Sequence, residues 1–180
     1  AGEAMDKAAR LLGLGYPGGK ELDQLAEHGD PTAYSFPIAL RAADNLNLSF
    51  SGVKTAMYYL LRDMSPEERI EHAADVAASY RAAVVEALVS KLLRAAVSER
   101  VAGIAIGGGV AANSLLRQRV QTEGRAKGFH VVVPSFELCT DNAAMIASAA
   151  LYEDALPYPT YLDLEATASL TLGQRVSAGA

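Results

Sequence analysis

The 180 residues contain no tryptophan, a single cysteine and three histidines. One thiol, Cys139, excludes an internal disulfide and any multi-cysteine metal site, which suits a reducing compartment. His28, His72 and His130 fall in a turn-rich stretch, a helical pattern and a strand pattern, and no two stand at metal-binding spacing, so all three read as structural or exposed. Positive charge is also scarce. Sixteen Lys and Arg against 21 Asp and Glu give a net charge of −5, which argues against free-standing nucleic-acid binding while leaving open a local basic patch or a basic surface on another chain. No apolar run approaches the ~18 residues of a membrane span, and no charged-then-apolar leader opens the chain. The expected setting is the cytoplasm, without a membrane partner. An initiator Met is lacking too: the chain opens AGEAMDKAARLL, already inside an amphipathic pattern with Met5, Ala8, Ala9 and Leu12 on one face. It reads as cut from something longer.

What the sequence does hold is the stretch Val101 to Leu116, VAGIAIGGGVAANSLL. Its apolar start suits a strand buried on both faces of a parallel sheet. Gly107, Gly108 and Gly109 then allow a sharp turn and close approach of a ligand, and a helix starting near Ala111 would aim its free N–H groups into that turn. Strand, loop and helix start make either a site for an anionic, phosphorylated ligand or a tight turn with no ligand.

Taken in order, the first helix should end near Gly13 to Gly15, and Pro17-Gly18 has the form of a type II turn. Leu22, Leu25 and Ala26 give a short helix carrying Asp23, and 28–37 is turn-rich. The alternation of Leu46, Leu48 and Phe50 with polar residues reads as a half-exposed strand, and Ser51 as N-cap of a helix to about Arg62. Ser65-Pro66-Glu67-Glu68 combines an N-cap Ser, Pro at the first helical position and a capping-box Glu. From there one long helix of about eight turns should run to near Arg100. Residues 38–98 form a mostly helical block, and 99–156 a nucleotide-binding βαβ region: strand, glycine loop, helix to about Lys127, then a second buried strand over 130–134. Ala143 to about Glu153 should be an apolar helix capped by Thr140 or Asp141. Pro157, Pro159 and Tyr161 suggest an extended strap, with a disordered terminus beyond it.

Several chemistries can be weighed on these residues. GGGVAA fits the dinucleotide fingerprint G-x-G-x-x-A, but the second strand ends Val132-Val133-Pro134-Ser135, where a ribose-binding acid is needed, and Glu137 comes too late. No Gly-Lys-Ser/Thr follows the glycines, which excludes a P-loop. Asn113 offers a side-chain amide that either finishes a helix end or meets a ligand's sugar or base. Asp141 is a helix cap or a metal and substrate ligand; Asp6 and Asp23 would ordinarily be solvated carboxylates. Lys54, in the first turn of a helix, is misplaced against the helix dipole and so favours an anionic partner.

Six segments occurring in order, AGEAMDK (1–7), LLGL (11–14), YPGG (16–19), SFSGVKTA (49–56), GGVAAN (108–113) and CTDNAAMIA (139–147), resemble the bacterial threonylcarbamoyl transferase family that modifies tRNA. The resemblance implies an α/β chain with the actin-like ATPase fold (sugar kinase/Hsp70-like, ribonuclease H-like), here one half of it with a mainly helical insertion. It implies transfer of a threonylcarbamoyl group from threonylcarbamoyl-AMP to the exocyclic amine of the adenosine beside the anticodon of ANN-decoding tRNAs. Carried over by motif, Asp6, Gly19, Asp23, Gly108, Gly109 and Asn113 would contact the adenylate, and Asp141 would ligate one iron (or zinc) ion per subunit. The family's two further histidine ligands belong to an N-terminal half that this chain does not contain, so residues 1–180 read as the C-terminal part, inactive alone. An inactive-paralogue subunit and an ATPase subunit are the implied protein partners, with tRNA as substrate. Tyr80-Arg81 departs from the Phe-Gln usual in relatives, read as a matter of packing. The rivals are a non-catalytic nucleotide-binding or assembly fragment and a sugar-kinase-like phosphotransferase on the same fold.

Overall fold

The structure is a computed structural model that describes residues 1–41, 45–152 and 156–163. It is α/β, mostly helical with one small parallel sheet, and it divides into two compact units, Ala1–Thr140 and Asp141–Ala180.

The first unit is built on a central helix. In order it comprises α1 (Gly2–Leu11), α2 (Gly19–Ala26), α3 (Ser51–Asp63), α4 (Pro66–Glu71), α5 (Ala73–Ser98), β1 (Gly103–Ala105), a 3-10 turn (Gly109–Ala112), α6 (Ser114–Ala126), β2 (His130–Val132) and a second 3-10 turn (Phe136–Leu138). Helix α5 is small or apolar on nearly every side, and it packs against α1, α2, α3, α4, α6 and β1. Val76, Tyr80, Val84, Val85 and Val89 are fully buried along it, beside Leu22 of α2, Met57 of α3 and Val120 of α6. Alanines at 77 and 78, also buried, let neighbouring backbones approach.

Several boundaries follow from local chemistry. Gly13, with φ of 76°, closes α1, and Gly128, with φ of 82°, closes α6. The capping box at α4 forms as its residues dictate: Ser65 Oγ accepts from Glu68 N at 3.2 Å, and Ser65 N donates to Glu68 Oε2 at 2.8 Å. Other expectations are corrected. The single eight-turn helix is broken at His72 into α4 and α5. At the break the backbone of Gly29 lies against Ala74, and Asp75 Oδ1 accepts from Asp30 N at 2.8 Å, so the 28–30 loop docks onto the first turn of α5. Residues 45–50 pair with no strand among the described residues; alternation alone supplies no partner. Ser51 is the first helical residue of α3 rather than its cap, since Phe50 holds the cap position and no side chain caps there. The turn at Pro17-Gly18 is not type II, because Gly18 has φ of −114° where that turn needs about +80°.

Strands β1 and β2 pair in parallel, Gly103 with His130, Ile104 with Val131 and Ala105 with Val132, with α6 as the crossover. Only Ile104 is buried, and Val132 is half exposed. The apolar strands expected to be covered on both faces are therefore covered on one, because among the described residues two strands and one helix layer leave the second face open.

The second unit holds α7 (Ala143–Ala149) and a 3-10 turn (Thr160–Asp163), the latter replacing part of the expected extended strap. The cap of α7 is neither Thr140 nor Asp141: Asn142 Oδ1 accepts from Met145 N at 3.0 Å. The helix ends at Ala149, with Ala150 as its C-cap, four residues short of the expected end near Glu153; the terminal SAGA lies outside the described residues.

Candidate nucleotide-binding corner

Helix α6 starts three residues later than its sequence suggests, and this changes the site. The glycine loop is followed first by the 3-10 turn, so the opening N–H groups of α6 face the Asn113-Ser114 corner. There they already have an anion. Asp23, on the second turn of α2, accepts from Ser114 N at 2.8 Å through Oδ2. Its Oδ1 accepts from Asn113 Nδ2 at 2.6 Å, Ser114 Oγ at 3.1 Å and Arg81 Nη1 at 2.8 Å. Asn113 meanwhile caps α6, its Oδ1 accepting from Leu116 N at 2.9 Å. Both alternatives for Asn113, helix end and polar contact, are thus realised in one side chain. A carboxylate has about four acceptor positions. With three donors on Oδ1 and one on Oδ2, the remaining capacity of Asp23 is on Oδ2.

Asp23 is not the solvated carboxylate its local sequence suggests; its side chain is 13% exposed. Arg81, on α5, stands out in the sequence only as half of a departure read as packing, yet the structure places it in the corner. Besides the Asp23 carboxylate, its guanidinium donates to the Asp23 carbonyl (Nη1, 3.0 Å) and the Ala26 carbonyl (Nη2, 3.0 Å), both in the last turn of α2. It also lies 3.3 Å from Ser114 Oγ. Its neighbour Tyr80 is wholly buried and donates its hydroxyl to the Ala4 carbonyl at 2.9 Å, with burial holding the phenol well above its ordinary pKa. Beyond that departure, the sequence signal for Arg81 is a charged residue in the middle of an apolar helical stripe.

Asp6 of α1 accepts from Gly18 N at 3.1 Å, and a Cβ on Gly19 would stand 3.8 Å from the same oxygen. The α1 carboxylate is thereby held at the start of α2. The first turn of α1 also reaches the glycine loop, since a Cβ on Gly2 would lie 3.5 Å from Val110 Cγ2. In the loop itself Gly108 has φ of 75°, a conformation L side chains rarely adopt. Gly107, Gly108 and Gly109 are exposed, and Cβ atoms on them would meet nothing within 4 Å. The loop is open and can take a ligand against its backbone. Arg117 braces it, donating to the Ala111 carbonyl at 2.9 Å and the Pro134 carbonyl at 2.7 Å while stacking on Phe136.

Lys54 finds its anion within the chain: Nζ lies 2.8 Å from Glu3 Oε1, and this contact holds the Glu3 carboxyl below its ordinary pKa. Cys139 is buried, its thiol donating to the Ser135 carbonyl at 3.4 Å. Of the seven residues singled out as ligand contacts, Asp6, Gly19, Asp23, Gly108, Gly109 and Asn113 fall in the first unit; Asp141 falls in the second, where it is exposed. Among the described residues no group of three or more His, Cys, Asp and Glu side chains could hold a metal. Asp141 offers one carboxylate, and the side chains described here do not by themselves compose an iron or zinc site. No helix among them is long and apolar enough to cross a membrane.

Comparison with known proteins gives the corner its context. A family model described as "TsaD: tRNA N6-adenosine threonylcarbamoyltransferase" matches residues 1–148. Proteins of that name from Clostridium botulinum and Thermotoga neapolitana are 48% and 47% identical to this chain over 177 and 173 residues, covering 97% and 94% of it. One from Moorella thermoacetica is 51% identical over 153 residues, 85% of this chain. The alignments take in 52%, 51% and 45% of the respective relatives, so the chain spans about half the length of the curated relatives it matches. On the extent of these matches, the chain belongs to the tRNA N6-adenosine threonylcarbamoyltransferase family.

Proposed function

We propose that this chain is the C-terminal half of an enzyme that transfers the threonylcarbamoyl group from threonylcarbamoyl-AMP to the exocyclic amine of the adenosine next to the anticodon of ANN-decoding tRNAs. The observation that supports the reading is that α2 carries Gly19 against Asp6 and, one turn on, Asp23 bonded to Asn113, in a chain of this family with an open glycine loop. In this reading the exposed backbone of Gly108 and Gly109 receives the phosphate end of the adenylate. Asp23 Oδ2, the oxygen with acceptor capacity left, takes a hydroxyl of the ligand, and the second N–H of Asn113 Nδ2 donates to it. Asp6 fixes the start of α2, so that Gly19 presents backbone rather than a side chain to the ligand.

The fold of the whole protein is, on this proposal, actin-like, with the helical block 38–98 inserted beside the βαβ region 99–156. Asp141 contributes one ligand to an iron or zinc ion whose two histidine ligands come from the other half; bound there, the ion would polarise the acyl group. The proposed setting is the cytoplasm, with an inactive-paralogue subunit and an ATPase subunit as partners.

The test is reconstitution of the full-length protein with tRNA and threonylcarbamoyl-AMP, followed by mass spectrometry of the digested nucleosides. Threonylcarbamoyladenosine should appear; its absence with a folded, metal-loaded enzyme would sink the reading. Gly109→Val, which fills open space without disturbing a packed neighbour, should weaken AMP binding at least tenfold while leaving the melting temperature within a few degrees.

A further inference from the structure

We propose that Arg81 is the charge-compensating, positioning residue of the adenylate site: its guanidinium offsets the charge of the Asp23 carboxylate, so that the adjoining glycine loop can receive an anion. The inference rests on the nucleotide reading above and adds a determinant that the family motifs do not contain.

A close, buried ion pair is in itself a poor stabilising device, because desolvation offsets most of the attraction and an apolar pair of similar volume often serves as well. Arg81 carries a further cost, since its Nε is buried without a hydrogen-bond partner, the only such side-chain nitrogen or oxygen among the described residues. A guanidinium at this position calls for another reason. The corner supplies one. Ser114 N, Ser114 Oγ and Asn113 Nδ2 all donate to Asp23, and these donors fix its carboxylate at the corner. Asn113 is also the residue at which the turn leaving the glycine loop ends. A full negative charge there, with Asp6 on the adjoining helix, opposes a phosphate in the loop. Arg81 Nη1, 2.8 Å from Asp23 Oδ1 with both side chains almost wholly buried, neutralises that charge in a medium where screening is weak. Its bonds to the Asp23 and Ala26 carbonyls hold α2 in register, so the compensating charge does not move away.

The consequence is a discrimination between ligands by charge. Loss of the cation should weaken binding of AMP and leave adenosine, the same ligand without phosphate, nearly unaffected. The experiment is calorimetric titration of the full-length protein and its Arg81→Met and Arg81→Lys variants with AMP and with adenosine. Arg81→Met should lower AMP affinity on the order of tenfold and adenosine affinity less than about twofold, and Arg81→Lys should restore most of the AMP binding. Equal losses for both ligands would mean that Arg81 serves packing alone, and no loss for either would mean that its charge is irrelevant; each result overturns the proposal while leaving the nucleotide reading in place. Failure of the unsubstituted protein to bind AMP or adenosine would overturn both. Should Arg81→Met not fold, Arg81→Gln, which keeps a donor toward Asp23, is read by the same ratio.

Discussion

Gly29 has no room for a side chain: a Cβ there would stand 2.0 Å from the Ala74 carbonyl oxygen and 2.6 Å from Asp75 N. These are backbone atoms of a packed helix, unable to swing aside. Gly29→Ala should therefore destabilise the fold by about 2 kcal/mol or more, whereas Gly107→Ala, with nothing within 4 Å, should stay within about 0.5 kcal/mol. Urea unfolding of the two variants checks the pair. At this scale the sequence is uneven evidence. Asp23 and Asn113 stand out by residue type and neighbourhood, yet the bond joining them spans 90 positions and no local pattern contains it. Arg81 is hidden for the same reason, its partner lying 58 positions away. Lys54 shows the reverse case: its misfit with the helix dipole is legible, but the anion that answers it is Glu3, a residue of another helix rather than a ligand.

Helix α6 depends on one side chain at its start. Asn113→Ala removes both the cap on Leu116 N and the bond to Asp23, and should cost about 1–2 kcal/mol. Asn113→Ser keeps a capping oxygen while shedding the Nδ2 bond, so its loss should be the smaller of the two; the difference between their urea midpoints measures the tie across to α2. Elements whose signals are internal were readable in advance: α1 and α2 from their apolar faces, the start of α4 from its capping box, the ends of α1 and α6 from Gly13 and Gly128. Elements that need a partner were not. The run at 45–50 alternates correctly but has no strand to pair with among the described residues, and α5 is separated from α4 by a loop that docks from 45 residues upstream. Asn142 rather than Asp141 caps α7, a choice between adjacent good capping residues that propensity does not decide.

The whole molecule should lose stability toward both ends of the pH scale, for opposite reasons. Glu3, beside Lys54, Asp30, bonded by Thr32, and Glu68, in the capping box with Ser65, all have carboxyls held below their ordinary range. Because their folded pKa values are depressed, their contributions are complete above the unfolded values near 4 and fade as pH falls through the folded ones. Tyr80 and Tyr34 are displaced upward by burial. Their contribution is complete below the unfolded value of about 10 and fades at higher pH. Thermal melts should therefore show a plateau between about pH 5 and 9, falling on either side; a melting temperature still rising below pH 4 would contradict the assignment of these contacts. The family-level identity of the chain was legible from its motifs. The open face of the two-stranded sheet was not, since an apolar run says that a strand wants cover without saying what supplies it.

The corner where Asp23, Arg81 and Ser114 meet also has a history within each molecule's folding. Its bonds close chain separations of 58 and 91 residues, while the helices that carry them are stabilised by contacts a few residues apart. Loops of that length cost entropy before they return any contact energy. The helices can form early, but the corner is assembled only when three distant segments arrive together, late on the folding pathway. A ligand seated there would bind only the closed arrangement, and so would act as a staple on the last-formed part of the fold.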